Sequence, residues 1–157
     1  VMKKSGLAIL MILAALVLNW GTRAEAQTFL GEFCWQMTGT ENETGPIIPP
    51  KTALARMGVT YLGGSYYLLQ GIANSTDGPV ILNGTGIFYG SQVLMSLSLS
   101  QDHTPIGPWR DSSTVQVTLN ASSLSGTWWD VGSSFNPTTR TFGPMYGAGT
   151  WTFTSCP

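Results

Sequence analysis

The sequence predicts an all-β protein, an antiparallel up-and-down β-barrel closed by a disulfide between its terminal strands. Three observations lead there: apolar residues recur at every second position, glycine-rich pairs punctuate the alternating runs, and two cysteines, Cys34 and Cys156, stand near the two ends of the exported part of the chain.

The N-terminus sets the compartment. Met2-Lys3-Lys4 is a short basic start, Leu7 to Leu18 is apolar almost throughout, and Ala24-Glu25-Ala26 places small residues where a signal peptidase reads them. A cleaved signal peptide over residues 1–26 is expected, because the apolar run is well short of the roughly 20 residues a spanning helix needs. Val1 ahead of Met2 reads as a literally translated alternative start codon, pointing to a bacterial gene and a periplasmic or secreted product. Residues 27–157 then form a single domain. Its cationic residues, Lys51, Arg56, Arg110 and Arg140, face seven carboxylates, and nowhere do they cluster. Nucleic acid and anionic membranes both require local positive charge and are excluded as partners.

From residue 33 the strands follow in order. Phe33, Trp35 and Met37 alternate with Cys34, Gln36 and Thr38; Val59–Leu62, Ser65–Ile72, Pro79–Leu82 and Thr85–Tyr89 are further candidates. Val93, Met95, Leu97 and Leu99 share one face opposite three serines, and Thr114–Leu119 repeats that alternation. Leu124–Asp130, Arg140–Phe142 and Thr150–Thr154 complete the set. Gly63-Gly64 and Asn83-Gly84 read as primed hairpin turns, with Asp77-Gly78 and Gly90-Ser91 marking other reversals. Two stretches break the pattern. Lys51–Gly58 follows prolines, contains good helix formers and ends on glycine, which reads equally as a short helix or lid over a cavity mouth and as an ordered surface loop of one or two helical turns with no role in ligand access. Asp102–Asp111 is too rich in proline and glycine for a regular element.

An exported chain with two cysteines most simply oxidises them to one bridge, which draws their Cα atoms to roughly 4.4–6.8 Å. The first and last strands must then meet. A barrel does this while removing both open edges, although a sandwich pairing its terminal strands would satisfy the bridge as well. By phase, both thiols face away from the aromatic side, which makes the bridge an external clasp.

Gly31-Glu32-Phe33-Cys34-Trp35 resembles the Gly-x-Trp opening of lipocalins and related calycin barrels, with the tryptophan displaced by two residues. Gly126–Phe135 is locally similar to the opening strand and turn of avidin-type proteins, here in the last third of the chain, and carries over no ligand contacts. The resemblance implies a calycin-type barrel of about eight strands with one closed, apolar-lined end and a mouth at the other.

The chemistry inventory is thin. His103 is the lone histidine, no serine sits in a Gly-x-Ser-x-Gly setting, and the spacings provide no metal-ligand set, so neither enzyme activity nor a cofactor is expected. Two functions follow from the aromatics. The first is binding of a small hydrophobic ligand inside the barrel, lined by Trp35, Tyr66, Trp128 and Trp151, with Gly71, Gly86 and Gly149 leaving space. A connected cavity of roughly 300 Å³ or more would support it, and a fully packed interior would sink it. The second is a surface-acting envelope, adhesin or inhibitor protein using Trp109 or Trp129 and the loops at 40–50 and 102–111. In Trp128-Trp129 the adjacent indoles take opposite faces, so one of them lies outside the core.

Overall fold

A computed structural model describes residues 27–42, 51–75, 78–102 and 110–157. The expected signal segment, His103, Trp109 and Asp77 lie outside the described residues. Eight strands follow one another: β1 Thr28–Asn42, β2 Lys51–Gly63, β3 Tyr66–Ser75, β4 Gly78–Tyr89, β5 Gln92–Asp102, β6 Arg110–Asn120, β7 Gly126–Asn136 and β8 Thr141–Thr154. Each pairs antiparallel with the next, and β1 pairs with β8 to close the barrel. Closure rules out the sandwich, because no edge remains.

The alternation that predicts the strands is the alternation that sorts inside from outside. On β5, Val93, Met95, Leu97 and Leu99 are buried while Ser96, Ser98 and Ser100 face out; β6 does the same with Val115, Val117 and Leu119 against Thr114 and Thr118. Hydroxyls and amides thus dress the outer wall of β5 and β6, the reverse of the apolar band that a lipid-facing strand presents. Among the described residues, no helix is long and apolar enough to cross a membrane.

Four expectations are corrected. Lys51–Gly58 is not a helix or lid but the first half of β2, with Ala55 and Met57 fully buried on one face. Helix propensity is a weak preference, and ladders to β1 and β3 on both sides outweigh it. Asn83-Gly84 is not a turn: β4 runs through it, with Asn83 opposite both Gln70 and Ser98. Glycine is needed at 84 because a Cβ there would stand 2.0 Å from the Ser96 carbonyl oxygen. The last two candidate segments belong to one strand, β8, while Leu124 sits in the β6–β7 turn at φ 51°. The reversal expected at Gly63-Gly64 falls one residue later, on Gly64-Ser65, with Gly63 the last residue of β2, whereas Gly90-Ser91 forms as expected; the three glycines have φ of 112°, 60° and 60°.

The clasp closes the seam. Cys34 and Cys156 are bridged at a Cα separation of 5.1 Å, just beyond the point where Cys34 faces Thr154 across the β1–β8 ladder. Cys34 alternates with inward Trp35, so the bridge lies on the outer wall, yet Cys34 itself is fully buried.

Inside, the barrel is unevenly filled. Met57, Leu82, Leu97 and Val115, each near the middle of its strand, share one buried core with Trp151, and all five are at most 1% exposed. This solid middle leaves a separate space at each end.

Candidate functional site: an apolar cup at one end of the barrel

The larger space lies at the end bearing the β2–β3, β4–β5 and β6–β7 turns, where β1 begins and β8 ends. Its volume is about 190 Å³. Phe33 and Trp35 of β1, Val59 of β2, Tyr67 and Leu69 of β3, Gly86 and Phe88 of β4, Val93 and Met95 of β5, and Leu119 of β6 form the wall. β1, β3, β4 and β5 each contribute inward residues at i and i+2, as a barrel interior requires, and β2 and β6 one residue each. Two departures from regular pairing shape the mouth. The β1–β2 register shifts between Phe29 and Gly31, and the extra residue, Leu30, enters the lining. Leu124 reaches in from the β6–β7 turn, which Asn120 holds: its Oδ1 accepts from the Ser122 and Ser123 N–H groups at 2.9 and 3.3 Å, and its carbonyl accepts from the Leu124 N–H at 2.8 Å.

Aromatic contacts fix the walls. Trp35 meets Phe33, Phe153 and Trp151 at centroid separations of 6.1, 5.9 and 6.3 Å, and Tyr67 meets Tyr61 and Phe88 at 5.6 and 5.3 Å. The one polar atom of Trp35 is already engaged, its Nε1–H donating to the Leu124 carbonyl at 2.9 Å. Among the described residues, no Asp, Glu, Lys, Arg or His lines the cup, and Tyr67 is the one titratable wall residue. Such a wall offers a guest shape, dispersion and exclusion of water rather than charge.

The space at the other end is about 40 Å³, room for roughly one water. Met37, Lys51, Gln101 and Trp128 are among its walls, and it shares no lining residue with the cup. Nearby on β6 and β7, Asp111, Ser113, Asp130 and Ser134 turn inward and are buried. Burial pushes the Asp130 carboxyl above its ordinary range, and the neighbouring Asp111 carboxylate adds to this. The Ser113 hydroxyl and the Gly147 backbone pull the other way. Among the described residues, neither Asp130 oxygen completes a well-formed hydrogen bond, and no group of three His, Cys, Asp or Glu is placed to hold a metal.

The sequence-derived candidates divide. Trp35 lines the cup. Trp151, 0% exposed, touches Trp35 but belongs to the solid middle, and Trp128 lines the small space at the far end. Tyr66 is 58% exposed on the outer wall, and its neighbour Tyr67 takes the inward position. Of the glycines expected to leave space, Gly86 lines the cup, whereas Gly71 and Gly149 let strands approach: a Cβ on either would stand 2.0 Å from a neighbouring carbonyl oxygen. Trp128 and Trp129 face opposite ways as expected, and Trp129 joins Val131 and Tyr146 in an exposed outer patch on β7 and β8. Sequence reasoning missed Tyr67, Phe88 and Leu124.

The chain matches no protein family and no curated protein sequence. Among solved structures it has a likeness to EF1p2_mFAP2b bound to DFHBI, at 10% identity over 76% of this chain and 90% of that one, with a TM-score of 0.37. So distant a likeness bears on neither the fold nor the ligand of this protein.

Proposed function

We propose that this protein is an exported, non-enzymatic barrel that binds one small apolar or aromatic molecule in the cup. The cup itself carries the reading: at about 190 Å³ it falls short of the roughly 300 Å³ expected of a ligand cavity, but the barrel is not fully packed and the wall of this space is apolar. Its size narrows the guest. It falls below the roughly 300–1,000 Å³ of drug-sized sites but exceeds the about 150 Å³ in which a benzene-sized molecule is held, so a guest of one or two rings fits and a fatty acid does not. With no acid–base pair on the wall, the cup is suited to holding rather than converting its guest. In the same reading residues 1–26 are a signal peptide cleaved after Ala26, and the bridge forms in the periplasm or outside the cell.

Native mass spectrometry of the protein from its own host tests both parts. The expected chain begins at Gln27 and carries a reproducible extra mass. Added toluene and naphthalene should raise thermal stability, by about 1.4 kcal/mol at ten times Kd. A bare chain that neither probe stabilises overturns the binding reading; a mature N-terminus elsewhere overturns the cleavage site. Action through the outer surface is the competing reading, supported by the exposed Trp129, Val131 and Tyr146.

A further inference from the structure

Among the described residues that wall the cup, Leu124 is the one outside a strand. It stands in the β6–β7 turn at φ 51°, the left-handed region that glycine enters freely and a residue with a Cβ enters against steric resistance. The two other turns at this end place glycine in that region, Gly64 and Gly90, both at φ 60°. A residue kept for the backbone alone would be glycine or asparagine here too. What leucine supplies instead is its side chain, which lines the cup and packs against the buried core.

The turn is braced so that this side chain stays where it is. Its ends are pinned to the barrel: the Ala121 N–H donates to the Ser91 carbonyl, and the Ser125 hydroxyl accepts from the Phe153 N–H of β8, both at 2.9 Å. Within the turn the Leu124 N–H donates to the Asn120 carbonyl at 2.8 Å. The Leu124 carbonyl is held from outside by the Trp35 indole, whose Nε1–H donates to it at 2.9 Å from 89 residues away in the chain. Trp35 thus walls the cup and also fixes the residue that limits it. Every one of these bonds runs through backbone or a neighbouring side chain, so all survive loss of the leucine side chain.

We propose that Leu124 is the size-selecting residue of the cup, a stopper that the Trp35-braced turn keeps in the wall and that excludes guests larger than two fused rings. The proposal rests on the ligand reading above and names what decides which guest enters. A leucine on a free loop would swing aside for a larger molecule. This one cannot do so without breaking the Trp35 bond and leaving the indole N–H unpaired beside an apolar wall. A larger guest therefore overfills a fixed space, and apolar pockets discriminate by about tenfold or more for each methylene of misfit.

Fluorescence titration of the native protein and of Leu124→Gly with naphthalene and phenanthrene provides the test. Phenanthrene exceeds naphthalene by one ring, which adds about as many carbons as a leucine side chain holds. The native protein should prefer naphthalene by at least about tenfold. Leu124→Gly, whose backbone suits φ 51°, should bind phenanthrene at least about tenfold more tightly than the native protein does, so that the preference is erased or reversed. If the glycine variant does not fold, Leu124→Asn serves, since asparagine also tolerates this φ, with a severalfold effect in the same direction. A folded variant that keeps the native preference assigns Leu124 to packing alone and overturns the proposal, as does a native protein that takes both guests equally. Naphthalene bound with the preference unmoved sinks this inference and leaves the ligand reading intact; neither guest bound by either protein sinks both.

Discussion

Reducing the Cys34–Cys156 bridge changes no packing atom other than the two sulfurs, so its effect on stability isolates the closure of the chain. The bridged residues are 122 apart in sequence. For a loop of that length, the chain-entropy relation assigns about 5 kcal/mol at 25 °C to the restriction of the unfolded ensemble. A domain of this size has a total stability of about 5–15 kcal/mol. The bridge therefore supplies a third or more of it. Urea denaturation of the oxidised and reduced protein should show midpoints separated accordingly, and the oxidised form should have the smaller m-value because its unfolded state is more compact. Cys34→Ala/Cys156→Ala should behave as the reduced protein does, with a further small loss for the buried Cys34 sulfur. The reduced barrel should also bind naphthalene more weakly, since the clasp lies beside the β1–β8 seam that presents Trp35 and Phe153. A separation below about 1 kcal/mol would refute the reasoning, because the ladder between β1 and β8 would then be holding the closure without help from the covalent link.

Gly86→Leu places a branched side chain in the cup beside the Leu69 methyl, which lies 3.1 Å from the site of the new Cβ; calorimetry should show naphthalene binding lost by tenfold or more with the fold retained. Gly84→Ala drives a methyl toward the Ser96 carbonyl and the Leu97 Cα, at 2.0 and 2.8 Å, and should cost at least about 2 kcal/mol in denaturant titrations. Asp130 keeps its proton in the folded state at pH values where the unfolded chain has released it, since its folded pKa is raised above 3.8. Its contribution is thus most favourable below that value and is lost as pH rises through 3.8 toward the raised value. Asp130→Asn should flatten this slope and raise stability at pH 7, read as a higher urea midpoint than that of the native protein. Trp129→Ser, at a site 55% exposed, should leave both naphthalene binding and stability, within about 0.5 kcal/mol, unchanged; loss of cup binding would tie the outer patch to the ligand function.

Several features of the structure are legible in the residues themselves. Period-two alternation is a local property, so Val93 to Ser100 declares both strand and inner face without any neighbour. Two cysteines placed at 34 and 156 require, once bridged, that the first and last strands meet, and the opposition of Trp128 to Trp129 follows from the pleat alone. What stays hidden depends on more than one strand at a time. Tyr66 and Tyr67 sit in a run apolar on both faces, and the register shift between Tyr61 and Gly63 ahead of the turn helps set which of them points inward. Asn83-Gly84 has the composition of a turn, but the continuous ladders of β3 and β5 on either side carry the strand through it. Helix formers in Lys51–Gly58 lose to the same kind of pairing. The cup is the furthest from the sequence. Its volume is the remainder after inward side chains from many strands have packed, and Gly71, Gly86 and Gly149 look alike until the neighbouring backbone shows that just one of them borders the empty space. Local periodicity determined the class of fold and the closing bond; only the assembled barrel decided which end was left hollow, because empty volume is a property of all the strands together.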